Sequence, residues 1–254
     1  MKAEEAGSTD PARALELLWG RRALPSRGPR PGLAPERIVR AAIEIADEEG
    51  LAALSMRRVA GRLGVGTASL YTYIPGRPEL LALMLDTMIG DGPLPHTLPG
   101  GWREKVQAWA RDDWEGYQRH PWVLQVVSDR PSVGPRLMEW YESALRALDG
   151  TGLTESETVA AVESVDGYVR GVARLAADAA ETERRTGVSQ EAWEAAQEAF
   201  LREHADFSRY PRWVGAAAAG AFGDPVQNFE FGLQRILDGI EAVIRARSGE
   251  GTQS

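Results

Sequence analysis

From residue 35 onward the apolar positions recur at intervals of three and four, and no stretch alternates with the period of a strand. Ile38, Ala42, Ile45 and Ala46 share one face behind Pro35, a residue suited to the first helical position, and Gly50 can end that helix. Ser55 is a good N-cap for a second helix with Val59, Ala60 and Leu63 on its apolar side, closed by Gly64. A short helix is predicted from Thr67 to Tyr73, broken by Pro75-Gly76, and a longer one from Pro78 to Ile89. After a loop rich in proline and glycine between Asp91 and Gly101, helices are predicted at 102–119, 121–129, 133–148, 155–179, 189–205 and 225–247. The segment 180–224 is mixed, first charged, then helical, then rich in alanine and glycine. The fold class is all-α: a three-helix helix–turn–helix domain at 33–80, a helical body at 81–247 and a disordered tail at 248–254.

Residues 1–32 read as a flexible basic arm. A short apolar patch (Leu15, Leu17, Leu18, Trp19) precedes a run from Arg21 to Gly32 whose three prolines and two glycines favour an extended chain. Such an arm either follows a minor groove or is a solvated linker. Charge sharpens the picture. The whole chain carries −8, yet residues 21–80 hold 10 arginines against 6 acidic residues, whereas 81–254 hold 17 basic and 27 acidic ones. One end is suited to a polyanion that the rest repels, unless the asymmetry is a fluctuation of surface charge.

Other chemistry is mostly excluded. The chain has no cysteine, which removes disulfides, thiolate metal sites and cysteine nucleophiles together. His96, His120 and His204 are too far apart for a metal site on one helix, and no nucleophile–base pair can be placed, so neither catalytic residues, metal nor cofactor are implied. Apolar runs are too short to span a bilayer and no signal peptide is visible, so a cytoplasmic protein without a membrane partner is expected.

The stretch Met56 to Ile74 carries the functional signal. Ala60 is small where a second helix must pack over it. Gly64 supplies a positive φ at the turn, and Val59, Leu63 and Leu70 form a buried triangle with Val65 beneath the turn. The short helix that follows offers Thr67, Ala68, Ser69, Tyr71, Thr72 and Tyr73, small or hydroxylated residues and aromatics that fit a DNA groove. Arg57, Arg58, Arg62 and Arg77 surround it as candidate phosphate contacts. An ordinary αα-hairpin with a glycine turn is the competing reading.

Residues 35–85, through Leu54-Ser-Met-Arg-Arg-Val-Ala60, Leu63-Gly-Val65 and Leu70-Tyr-x-Tyr73, resemble the DNA-binding domain of TetR-family transcriptional regulators. The stretch from Asn228 to Ala242 is similar to the last helix of the tetracycline-repressor-like C-terminal class. The resemblance implies base-edge contacts from Arg57, Thr67, Ala68 and Tyr71, and phosphate contacts from Ser69, Tyr73 and Arg77. It also implies a double-stranded DNA operator and a small-molecule effector as partners. Thr72 and Gly66 depart from the residues usual at their positions, so the operator sequence does not carry over.

In the body, Phe229, Leu233, Ile236, Ile240 and Val243 make a helical seam beside Gly232 and Gly239. Val159, Val162, Asp166, Val169, Val172 and Ala176 make another beside Gly167 and Gly171. The helices near 155–179 and 225–247 are therefore expected to form a homodimer, unless both seams serve only the monomer core. Trp102, Val106 and Trp109 form a stripe that turns polar through Asp113, Tyr117 and His120, as the wall of a ligand cavity would. Trp102, Trp109, Asp113, Tyr117 and His120 are thus the candidate ligand residues, with ordinary core packing as the alternative. Two functions compete: a ligand-responsive regulator, most simply a repressor, and a helical binding protein or enzyme built on an aromatic cavity.

Overall fold

The computed structural model describes residues 11–21, 33–127, 132–222 and 225–250. Their regular structure is entirely helical, with no strand among these residues. They divide into two compact units, one ending at Val162 and one beginning at Glu163.

In the first unit, α1 (Pro11–Leu18) precedes α2 (Pro35–Glu49), α3 (Met56–Leu63), α4 (Thr67–Tyr71) and α5 (Arg77–Ile89). Then come α6 (Trp102–Arg119), α7 (Val123–Val126) and α8 (Pro135–Arg146). Within the stretch read as an arm, Pro11–Leu18 is a helix instead. Ala14 and Leu18 are buried and α1 lies along α5, so packing overrides a weak local signal. The proline-rich part at 22–32 lies outside the described residues, as does the tail at 251–254; residues 248–250 continue the last helix.

Local rules hold around the turn. The Ser55 hydroxyl accepts the Arg58 amide at 3.2 Å, and Gly64 takes φ 66°, ψ 31°, the left-handed conformation that a Cβ disfavours. The helix expected at 121–129 is shorter. It spans only Val123–Val126, because Trp122 turns inward and is buried among residues of the helix–turn–helix. That core joins Ile38, Ile45, Val59, Leu70, Tyr73, Ile74, Leu80 and Met84 to Trp122 and Val123, with Tyr117 against its edge. The Asp47 carboxylate of α2 accepts the Trp122 indole N–H at 2.7 Å and pairs with His120 Nδ1 at 2.7 Å. The domain boundary expected at 80/81 falls inside α5, which packs on α2 and on α8.

The second unit comprises most of α9 (Glu155–Thr186), then α10 (Gln190–His204), α11 (Pro211–Ala218) and α12 (Pro225–Glu250). α9 runs past the expected end at 179, through the charged segment, where Arg174–Asp178 and Arg184–Glu181 pairs sit one turn apart. The Tyr168 hydroxyl donates to the carbonyls of Asn228 and Phe229, 3.0 Å each, and its ring stacks on Phe229. A Cβ on Gly232 would lie 2.1 Å from that hydroxyl, so Gly232 makes room for Tyr168 of its own chain. The expected seam of α12 divides. Phe229, Leu233 and Leu237 are buried, Ile236 and Ile240 are half-buried, and Val243 is exposed. On α9 the buried line runs through Val162, Val165, Val169 and Ala173, and Gly167 and Gly171 face open space.

Trp122→Ala opens a large cavity in the core of the helix–turn–helix and removes one of the donors to Asp47. Destabilisation of about 3–5 kcal/mol is expected, read as a lower urea midpoint. An unchanged midpoint would mean that the indole is not part of this core.

Candidate nucleic-acid interface and ligand site

α3 and α4 are the two helices of the motif. Ala60 and Leu70 are buried between them, and the Val65 amide donates to the Ala60 carbonyl at 3.0 Å, closing the turn around Gly64. α4 is only five residues long and presents Ala68 and Tyr71 to solvent, with Thr67 and Ser69 half-buried. Thr72 is exposed, its hydroxyl turned to the Ala68 carbonyl. Tyr73 is 4% exposed, so its ring belongs to the core rather than to the outer face.

The four arginines around α4 are not equivalent. Arg58 pairs with Glu49 at 2.6 Å. Arg62 forks onto both oxygens of Glu48 and lies 3.6 Å from Glu44 and from Glu49. Its hydrogen bond holds the Glu48 carboxyl below the ordinary glutamate range. Arg77 donates to the Leu54 and Leu51 carbonyls at 3.4 and 3.3 Å, bracing the turn between α2 and α3. Arg57 is exposed, with no ion-pair partner among the described residues.

The candidate ligand residues separate into two groups along α6. Trp109 is buried and donates its indole N–H to Asp113, and its ring meets Trp140 of α8 edge-on at 5.3 Å. Trp102, half-buried, begins the same helix. Tyr117 and His120 turn the other way, toward the helix–turn–helix core and Asp47. Trp140 escaped the sequence reading because its partner lies on another helix. Asp47 escaped because nothing marks a solvent-side carboxylate of α2 as the acceptor for residues 120 and 122. Among the described residues no cluster of ligating side chains could hold a metal. Nor is any of their helices long and apolar enough to cross a membrane.

Residues 38–84 match the family described as bacterial regulatory proteins, tetR family, and residues 94–244 match the tetracyclin repressor-like C-terminal domain. The chain belongs to the TetR family. Like the TetR-family proteins it matches, it is a DNA-binding regulator of transcription. The HTH-type transcriptional repressor DrrR1 of Streptomyces coeruleorubidus is 47% identical over 97% of this chain and 92% of its own length. An HTH-type transcriptional regulator of Saccharopolyspora erythraea is 31% identical over 89% of this chain and 91% of its own. Among solved structures, the TetR-family protein ActR of Streptomyces coelicolor in complex with actinorhodin superposes with a TM-score of 0.72 at 30% identity. That match covers 84% of this chain and 97% of ActR. These relatives are named as regulators or repressors rather than as enzymes.

Proposed function

We propose that the chain is a cytoplasmic repressor that binds a palindromic operator as a homodimer and leaves it when a small hydrophobic or amphipathic molecule enters the body. The observation that carries this reading is the exposed face of α4 beside an uncommitted Arg57. Arg57, Thr67, Ala68 and Tyr71 address base edges, and Arg57 has the geometry to donate two hydrogen bonds to a guanine. Ser69 approaches a phosphate, and Tyr73 offers one no more than its hydroxyl. Arg77 acts first as the brace of the 51–54 turn. Arg57→Ala should lose about 1–3 kcal/mol of preference for operator over scrambled DNA. Arg77→Ala should weaken binding to both DNAs without changing the salt dependence. Binding across a salt series decides between brace and phosphate contact: a slope shallower by about one unit in Arg77→Ala would restore the phosphate role.

For the ligand, we favour the wall made by Trp102, Trp109 and Asp113, with Trp140 added from α8. The ActR complex with actinorhodin supports a small-molecule site in proteins of this architecture. Tyr117 and His120 are assigned to the junction with the helix–turn–helix instead. A compound that quenches tryptophan fluorescence and releases operator DNA should do both at least about tenfold more weakly in Trp140→Ala, within the usual range of coupling between sites. Quenching and release unchanged in that variant would move the site elsewhere.

The dimer is assigned to the edge of α12 that the chain does not fully bury: half-buried Ile236 and Ile240 and exposed Val243, beside the open face of Gly239. Leu233 is fully buried within the single chain, so a charge there tests folding rather than association. Val243→Asp should keep the helical content and give monomers at micromolar concentration by light scattering. A stable dimer with that substitution would place the interface on another face.

A further inference from the structure

The first turn of α8 is held from two sides by the part of the chain that carries the DNA-binding helices. Asp86 of α5, 8% exposed, accepts the Leu137 amide on its Oδ1 at 3.1 Å and so caps α8. A Cβ on Gly134 would fall 2.1 Å from the same oxygen. Gly134 has φ −81° and ψ 171°, a conformation open to any residue, so its glycine answers to the carboxylate and not to its own backbone. Burial pushes the Asp86 carboxyl above the ordinary aspartate range, and the amides of Leu137 and Arg136 oppose that shift. On the other side Trp19 donates its indole N–H to the Val133 carbonyl at 3.0 Å, while α1 lies along α5. About one turn further along α8 stands Trp140, edge-on to Trp109.

We propose that Asp86 is a positioning residue for DNA binding: its cap on α8 fixes α5, and with it the helix–turn–helix, to the helix that carries Trp140. A molecule that displaces Trp140 moves the first turn of α8. The cap transmits that shift to α5, which shares a core with α2 and α4. The proposal rests on the reading of the chain as a ligand-responsive regulator. Its test needs no ligand, because coupling between two sites is reciprocal. DNA that fixes the helix–turn–helix must also steady α8.

The experiment is amide hydrogen exchange on the full chain, free and bound to the DNA upstream of its own gene. Slower exchange over residues 67–73 reports DNA binding by itself. In the wild type, exchange over residues 135–138 should also slow by about tenfold, within the usual span of coupling between sites. Asp86→Asn retains an acceptor oxygen and should preserve that effect. Asp86→Ala removes the cap, and Gly134→Ala displaces the carboxylate while leaving Asp86 in place. Both should reduce the slowing at 135–138 to less than about twofold and keep it at 67–73. The proposal is overturned if either variant, folded and with wild-type helical content, keeps the full slowing at 135–138. It is equally overturned if wild-type exchange there ignores DNA that slows residues 67–73.

Discussion

The helix–turn–helix of this chain closes its core with a residue from the body. Trp122 is almost completely buried among the apolar side chains of α2 to α5, and its indole N–H ends on Asp47. A buried indole needs both packing partners and an acceptor, and α2 supplies the acceptor on its outer flank. His120 approaches the same carboxylate, so one oxygen of α2 organises two residues at the end of α6. The helices of the helix–turn–helix domain therefore do not form a closed unit by themselves. Their packing is finished by residues about fifty positions beyond the recognition helix.

The same economy shapes α8. Its first turn is capped by α5, and further along the buried hydroxyl of Ser143 meets the backbone and ring of His96, fastening the loop before α6. Its aromatic face meets α6 through Trp140 and Trp109. Each contact satisfies a polar group or fills a gap that would otherwise be costly when buried. Together they tie α8 to α5, to α6 and to the loop before α6.

How much of this was legible in the sequence follows from how far apart the interacting residues lie. Ser55, Ala60, Gly64 and Leu70 act within one or two turns of each other, and their spacing gave the motif and the all-α fold. The arginines show the limit. Arg57, Arg58 and Arg62 look alike in sequence, yet Arg62 reaches back 14 residues to Glu48, and Arg58 reaches back 9 to Glu49. Which cation stays open depends on how α2 crosses α3, and no local pattern encodes that. The aromatic stripe of α6 was visible as a stripe. Its division between Trp140 and Asp47 was not, because a helix face wide enough to meet two neighbours reads the same as one that lines a cavity. Gly232 shows the converse: a glycine beside an apolar seam proved to accommodate Tyr168 from the same chain.

The pairing of Arg58 and Arg62 with the glutamates of α2 also bears on how a regulator finds its site. Loose association with arbitrary DNA draws almost wholly on cations that displace counterions from phosphates. Here two cations flanking the recognition helix are already neutralised by neighbours on the same domain, and the acidic residues that outnumber basic ones beyond position 80 add repulsion. With fewer open cations, a surface displaces fewer counterions from phosphates and holds arbitrary sequence less tightly than it would with all four arginines free.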